Sequence, residues 1–342
     1  MKKINSFRSS FLKVAALAAV IAIAGCSKSD NPASEESSSV AGGGKNPATV
    51  KAYTNEVRSN GSGGYIWRTD GVDRGTTSSL STAIKNCMRA NTHVDIITGG
   101  NLTEPIVIPG DNVRLWFHNV TIYRKHSGNG ITNTRNGFEC HDLILRDGSN
   151  GYGIRSSRAS NLKFNNVRIY NSPWISMRID SRESEAWNYT IYNLTVTNCT
   201  FDGGGGHGLE TYGIDGVNIQ NIVARNKAEC GVLLNQTKNG TVGTINAYRC
   251  ATNTGYAGYR LANTCSNITT EMLYADQCGR GYFVLSGSNN TTLKNCRITN
   301  GTGIGVWLEN VANCKVLAGC TNDGVSVSGS GSYANVSTSG CP

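Results

Sequence analysis

The segment Phe201-Asp202-Gly203-Gly204-Gly205-Gly206-His207-Gly208-Leu209-Glu210-Thr211-Tyr212 sets an imidazole, two carboxyls and a phenol close together in the chain. Groups of these types move protons to and from a reacting substrate. The four glycines ahead of His207 remove side chains that would keep a ligand away from the backbone. A flexible corner carrying an exposed His is the plainer account of the same letters. Arg155, Arg178, Asp180, Asn235, Arg260, Trp307 and Glu309 are spread on either side of this segment. Arginines form charge-assisted bonds to uronate carboxylates, and aromatic faces pack on sugar rings, so such a mixture suits an anionic glycan. Taken singly, each of these residues reads more simply as the solvated face of a strand.

They come into line only if something stacks them, and the sequence has a repeat that would. A Gly followed by alternating apolar residues recurs at Gly130, Gly153, Gly208, Gly231, Gly258, Gly281, Gly305 and Gly324, at spacings of 23, 55, 23, 27, 23, 24 and 19. A period in the twenties with alternation of two inside it predicts stacked strands of one solenoid, and the spacing of 55 is two turns plus an insertion. If the residue after each Gly points inward, Ile154, Ile175, Met177, Leu209, Val232, Leu234, Leu261, Val306 and Leu308 fill the core. Arg155, Arg178, Asp180, Glu210, Tyr212, Asn235, Arg260, Trp307 and Glu309 then face out along one row. Neighbouring coils about 4.8 Å apart would present that row to a polysaccharide. A slip of one residue would turn every side chain to the other face, and the Gly281 coil fits either choice.

The numerous Asn residues suit the corners, because Asn tolerates left-handed backbone and bonds its own main chain. One amphipathic helix is expected within residues 73–90, with Leu80, Ala83, Ile84, Cys87 and Met88 on one face, covering the open end of the stack. The insertion Ser181–Thr190, carrying Arg182, Glu183, Glu185 and Trp187, is expected to wall the row.

With the opening Thr69-Asp70-Gly71-Val72-Asp73 followed by the helix, the pattern over about residues 65–325 resembles the right-handed single-stranded parallel β-helix of secreted pectate lyases and polygalacturonases. That resemblance implies an all-β fold with an N-terminal capping helix, and a carbohydrate-active protein acting on a pectin-like acidic polysaccharide. The family's hydrolase motif is incomplete here. Arg178-Ile179-Asp180, Asp202, Glu229-Cys230-Gly231 and Tyr259-Arg260-Leu261 fall at its four positions, its Asp-Asp pair is missing, and Gly206-His207-Gly208 lies a coil early. Hydrolysis would draw its acid and base from Asp180, Asp202 and Glu210. β-Elimination would use a base among Arg178, His207, Tyr212 and Arg260, the family's habit favouring Arg260 or Arg178, with Asp180, Asp202 and Glu210 offering oxygen ligands to Ca²⁺. The expected catalytic set is Asp180, Asp202, His207, Glu210 and Arg260. The expected substrate-binding set is Arg155, Arg178, Trp187, Tyr212, Asn235 and Trp307. Elimination leads, with hydrolysis and non-catalytic glycan binding or adhesion as alternatives.

Residues 1–25 have a basic start and an apolar run too short to span a bilayer, the marks of an export signal. The run ends in Ile23-Ala24-Gly25-Cys26, which resembles a bacterial lipobox and implies lipidation at Cys26. The same resemblance implies an exported, outer-membrane or cell-surface lipoprotein of a Gram-negative bacterium. Residues 26–50 are rich in Ser, Gly and Glu and read as a flexible tether, leaving 51–342 as the β-helix domain. The formal net charge of +9 includes four basic residues of the signal, so the mature chain carries 28 basic against 23 acidic residues. That mild excess fits an acidic partner, and an exported chain with no dense basic cluster is not a nucleic-acid binder. The protein is expected to act as a monomer. Of the twelve cysteines, Cys199, Cys250, Cys278, Cys296 and Cys314 recur at matching places and read as a buried ladder. Cys320 and Cys341 read as a disulfide pinning the last turn.

Overall fold

A computed structural model describes residues 53–146, 148, 150–182 and 190–341. Cys26 and Trp187 lie outside them. The described chain is a parallel β-solenoid of about ten coils with a single α-helix, right-handed as expected. Three parallel ladders run along it. Ladder one stacks, among others, Ile131–Asn133, Ile154–Ser157, Met177–Asp180, Leu209–Tyr212, Val232–Asn235, Tyr259–Ala262 and Tyr282–Leu285. Ladder two includes Leu162–Asn165, paired to Ile191–Thr197 and through it to Ile214–Gln220. Ladder three includes Arg168–Ser172, Thr200–Gly204 and Ile222–Arg225.

Alternation decides what enters the core. Every residue assigned inward on ladder one is buried, from Ile154 and Met177 to Val306 and Leu308. The register shows that the long spacing is one coil of 23 residues, Ile154 to Met177, and one of 32, Met177 to Leu209. Ser176 stands where other coils have Gly. The Gly281 coil also resolves: Tyr282 and Val284 are inward and Phe283 is outward, over Arg260 and under Trp307.

Corners carry the Asn residues. Asn161, Asn198, Asn221, Asn267, Asn290 and Asn313 all have positive φ, a conformation Asn enters at low cost. Amide ladders then link the coils: Asn313 donates to Asn290, Asn290 to Asn267, Asn267 to Asn239 and Asn239 to Asp215. The cysteine ladder is buried in the core as free thiols, and Cys320 is bonded to Cys341.

The helix is shorter than expected. It runs Leu80–Ala90 with the Ser79 hydroxyl capping Thr82 N–H, and it buries Leu80, Ala83, Ile84, Cys87 and Met88. Residues 73–77, expected to be helical, instead belong to Val72–Thr77, a strand antiparallel to Tyr65–Thr69, which is antiparallel to Glu56–Ser59. Asp70 and Gly71 turn this hairpin with positive φ. The β-rich Val72-Asp73-Arg74-Gly75-Thr76-Thr77 lacks the apolar stripe that packs a helix. Glu56–Ser59 also pairs in parallel with His93–Ile96, so hairpin and helix together close the first coil.

Candidate functional site

On ladder one the outward residues form two neighbouring rows. Registers stack Arg155, Arg178, Glu210, Leu233, Arg260, Phe283 and Trp307 in the first row. Asp180, Tyr212 and Asn235 stack in the second. The rows expected from alternation therefore exist, on one side of the solenoid. Leu233 interrupts the polar run; with Cys230 and Ala262 it forms a small apolar patch outside the core, against which Tyr256 leans.

Although they face outward, the acidic residues are buried, because the neighbouring coils' long side chains cover them. Asp180 accepts from Arg178 Nε at 2.9 Å and from Arg182 Nε at 3.1 Å. Glu210 Oε2 lies 3.2 Å from Arg178 Nη1, yet it is buried with no hydrogen bond of good geometry. Burial raises the Glu210 carboxyl to about 7; Arg178 opposes this and Asp180 adds to it. Burial lowers the Arg178 pKa, but Glu210 and Asp180 outweigh it and the net shift is upward. Arg178 is thus held as a cation between two carboxyl groups. Tyr212, raised by burial and then by Glu210, keeps its proton too, and both Arg178 and Arg182 lie over its ring.

His207 sits at the centre. Its Nδ1 accepts from the Cys230 backbone N–H at 2.9 Å, so the ring proton resides on Nε2. Nε2 is 3.1 Å from Glu229 and 3.9 Å from Glu210. Burial first, then Arg260, Arg178 and Lys227, hold the imidazole pKa down to about 3, overriding both nearby carboxylates. His207 is therefore neutral, and its Nε2 faces Glu229, whose pKa burial raises against the pull of Lys227. One nitrogen thus stands between two carboxyls that both hold protons more tightly than an exposed glutamate.

The glycines ahead of His207 lie against the preceding coil. A Cβ on Gly204 would run into the Ser172 carbonyl, and Gly204 has φ +105°. Beneath them Lys227 is fully buried and donates to the Gly203 carbonyl at 2.6 Å and to Ser176 Oγ at 3.1 Å. Beside Glu229 and Arg178 opens a cavity of about 430 Å³, lined also by Tyr152 and Trp174. Those two rings meet edge-on at 5.5 Å, and Trp174 is 55% exposed. On the far side Arg260 lies between Tyr256 and Phe283, and Arg280 lies over Trp307. Arg155 Nε and Arg260 Nε are buried without a hydrogen-bond acceptor.

Asp202 is the misplaced member of the expected set. It lies on ladder three, in register between Tyr170 and Arg225 and hydrogen-bonded to Asn226. Gly203 to Gly206 carry the chain around a corner before His207, so residues near in sequence lie on different faces. The three carboxyls expected to offer oxygen ligands to Ca²⁺ are accordingly not brought together. Asp202 faces elsewhere, Asp180 and Glu210 are compensated by arginines, and among the described residues no three His, Cys, Asp or Glu groups gather as metal ligands. Glu229, Trp174, Tyr152 and Tyr256 had no place in the expected set. The period does mark Glu229, since Cys230 follows His207 by one coil of 23 residues.

No protein-family model matches the chain, and no curated protein matches its sequence. Among solved structures it is similar to the enzymatically active domain of tailspike protein 2 of bacteriophage CBA120, with TM-score 0.53 and 12% identity over 79% of this chain and 46% of that one. The full-length tailspike gives TM-score 0.53 and 11% identity over 78% and 40%. The A-module of a mannuronan C-5 epimerase from Azotobacter vinelandii gives TM-score 0.48 and 12% identity over 78% and 92%. The chain spans less than half the length of the tailspike chains, and at these identities the likeness shows the fold.

Proposed function

We infer that the protein cleaves an acidic, uronate-containing polysaccharide by β-elimination, with the glycan lying along the outward rows of ladder one. The observation that carries this is Glu210: a buried carboxyl with pKa about 7 and an oxygen free of hydrogen bonds, set in a row with Arg155, Arg178 and Arg260. A base that titrates near neutral pH is matched to removing a carbon-bound proton there. The arginines neutralise the uronate carboxylate and so stabilise charge as it develops on the carbon beside it. Arg155 Nε and Arg260 Nε are donors still lacking an acceptor. Glu210 takes the proton, the electron pair of the broken carbon–hydrogen bond forms the new carbon–carbon double bond, and the bond to the leaving glycosidic oxygen breaks. Glu229, with its raised pKa and its contact to His207 Nε2, supplies the proton to that oxygen. Trp174 and Tyr152 pack on a sugar ring next to the scissile bond. The tailspike whose fold is similar is named for its enzymatic activity, in line with a catalytic β-helix.

Hydrolysis is the second reading, favoured by two proton-holding carboxyls within 4 Å of one imidazole nitrogen. There Glu210 is the acid and Glu229 the base that activates water. Incubation with polygalacturonate, rhamnogalacturonan and alginate separates the two. Elimination yields a new ultraviolet absorbance, and its rate rises as pH climbs through about 7 because Glu210 must be ionised. Hydrolysis yields reducing ends without absorbance, and its rate falls over the same range. No product from any acidic glycan leaves only binding and overturns the catalytic reading. The anchor belongs to the same picture: lipid on Cys26 would hold the enzyme at the outer membrane. Loss of membrane association in Cys26→Ala tests it.

A further inference from the structure

Asp202 lies off the groove, but it has neighbours. The outward row of ladder three stacks Tyr170, Asp202, Arg225, Tyr248 and Asp276 in continuous register. Tyr274, two residues before Asp276 and so outward too, is 43% exposed. Asp202, Arg225, Tyr248, Tyr274 and Asp276, with Asn246, line an open cavity of about 470 Å³. A lone exposed Tyr on a strand requires no explanation. Two tyrosines flanking a set of hydrogen-bonding groups at coil spacing are a different matter.

The polar groups are held but not used up. Asp202 Oδ1 accepts from Asn226 Nδ2 at 2.8 Å, leaving its other oxygen available to a ligand hydroxyl. Asp276 Oδ1 accepts from Thr299 and Asn300 at 2.8 and 2.7 Å, while its Oδ2 has only a 3.5 Å contact with Gln277. Among the described residues Arg225 makes no ion pair, although it neighbours Asp202 in register. A carboxylate oxygen accepts from sugar hydroxyls, a guanidinium donates to them, and a Tyr ring packs on the apolar face of a pyranose. Charge then selects the class of sugar. The lining itself has two carboxylates to one arginine, whereas ladder one sets three arginines in its outward row, so the groups here suit sugar hydroxyls better than a uronate carboxylate.

The geometry points to a second glycan site on ladder three, centred on Asp202, Arg225, Tyr248 and Tyr274, that takes neutral, hydroxyl-rich oligosaccharide. It is independent of the groove chemistry, and it would hold neutral stretches or branches of a polymer against the protein while acidic stretches are cleaved elsewhere.

Calorimetric titration of the full chain with neutral oligosaccharides of galactose, arabinose, xylose and glucose, and with a galacturonate oligosaccharide, tests this. At least one neutral probe is expected to saturate. Tyr274→Ala and Asp202→Asn should each weaken its affinity roughly three- to tenfold, the range of one lost aromatic contact or polar group. Arg178→Ala should leave that affinity unchanged, and Tyr274→Ala should leave cleavage of acidic polymer unchanged. Saturation by no neutral probe would overturn the site, as would neutral binding lost in Arg178→Ala but kept in Tyr274→Ala. A galacturonate probe bound as tightly and lost in Tyr274→Ala would overturn the neutral-sugar assignment. Circular dichroism of the variants, both at solvent-facing positions, separates lost binding from lost fold.

Discussion

Glu210→Gln sets two intuitions against each other. The carboxylate lies 3.2 Å from a guanidinium, so removing its charge should weaken the fold. Yet a carboxyl held at about 7 rather than its usual 4.5 is one whose ionised form the fold disfavours, by about 3 kcal/mol. The attraction to Arg178 is already part of that balance, and burial exceeds it. The pH dependence follows from the sign. Below about pH 4 Glu210 is protonated in both folded and unfolded chains and contributes nothing. Between 4.5 and about 7 the unfolded chain loses its proton first, so stability falls, and above 7 the penalty is constant. Gln mimics the protonated form and never incurs it, while Arg178 keeps Asp180 at 2.9 Å. Thermal melts should therefore coincide near pH 4, and at pH 8 the variant should be more stable by up to about 3 kcal/mol, roughly 6 to 10 °C in Tm. The same variant should lose at least about 100-fold in cleavage rate. Destabilisation at pH 8, or a difference in Tm that does not vary with pH, would refute the burial argument and with it the tuned base.

Lys227→Met leaves the Gly203 carbonyl and Ser176 hydroxyl without their donor, at about 1–3 kcal/mol by chemical denaturation. It also removes the cation that opposes burial at Glu229, so the alkaline limb set by Glu229 as proton donor should move to higher pH, a shift that mere loosening would not cause. Gly204→Ala forces a Cβ against the Ser172 carbonyl at φ +105° and should cost about 1–3 kcal/mol, with activity falling further as the His207 corner shifts. Trp174→Ala removes an exposed ring beside the cavity; KM should rise severalfold with stability within about 0.5 kcal/mol of the parent.

Chain covalency fixes side-chain direction within one strand, and for that reason the sequence alone determined the solenoid, its core and the outward rows. Gly231-Val232-Leu233-Leu234 puts Val232 and Leu234 inside whatever else the chain does, and the same two-residue period set Arg178, Glu210 and Arg260 outside. The corner asparagines, the thiol ladder and the terminal disulfide were legible for similar local reasons. What only the tertiary structure decided is which residue lies over which after a corner, since that depends on the length of every loop between strands. Along ladder one the coils run from 19 to 32 residues, and the bend at Gly203–Gly206 sends Asp202 to a different face from His207, while a regular coil brings Glu229 beside it. Burial of outward carboxylates was equally beyond the sequence: the coverage of Glu210 is the summed effect of neighbours on adjacent coils, and that coverage turns an ordinary glutamate into a group that titrates near neutrality.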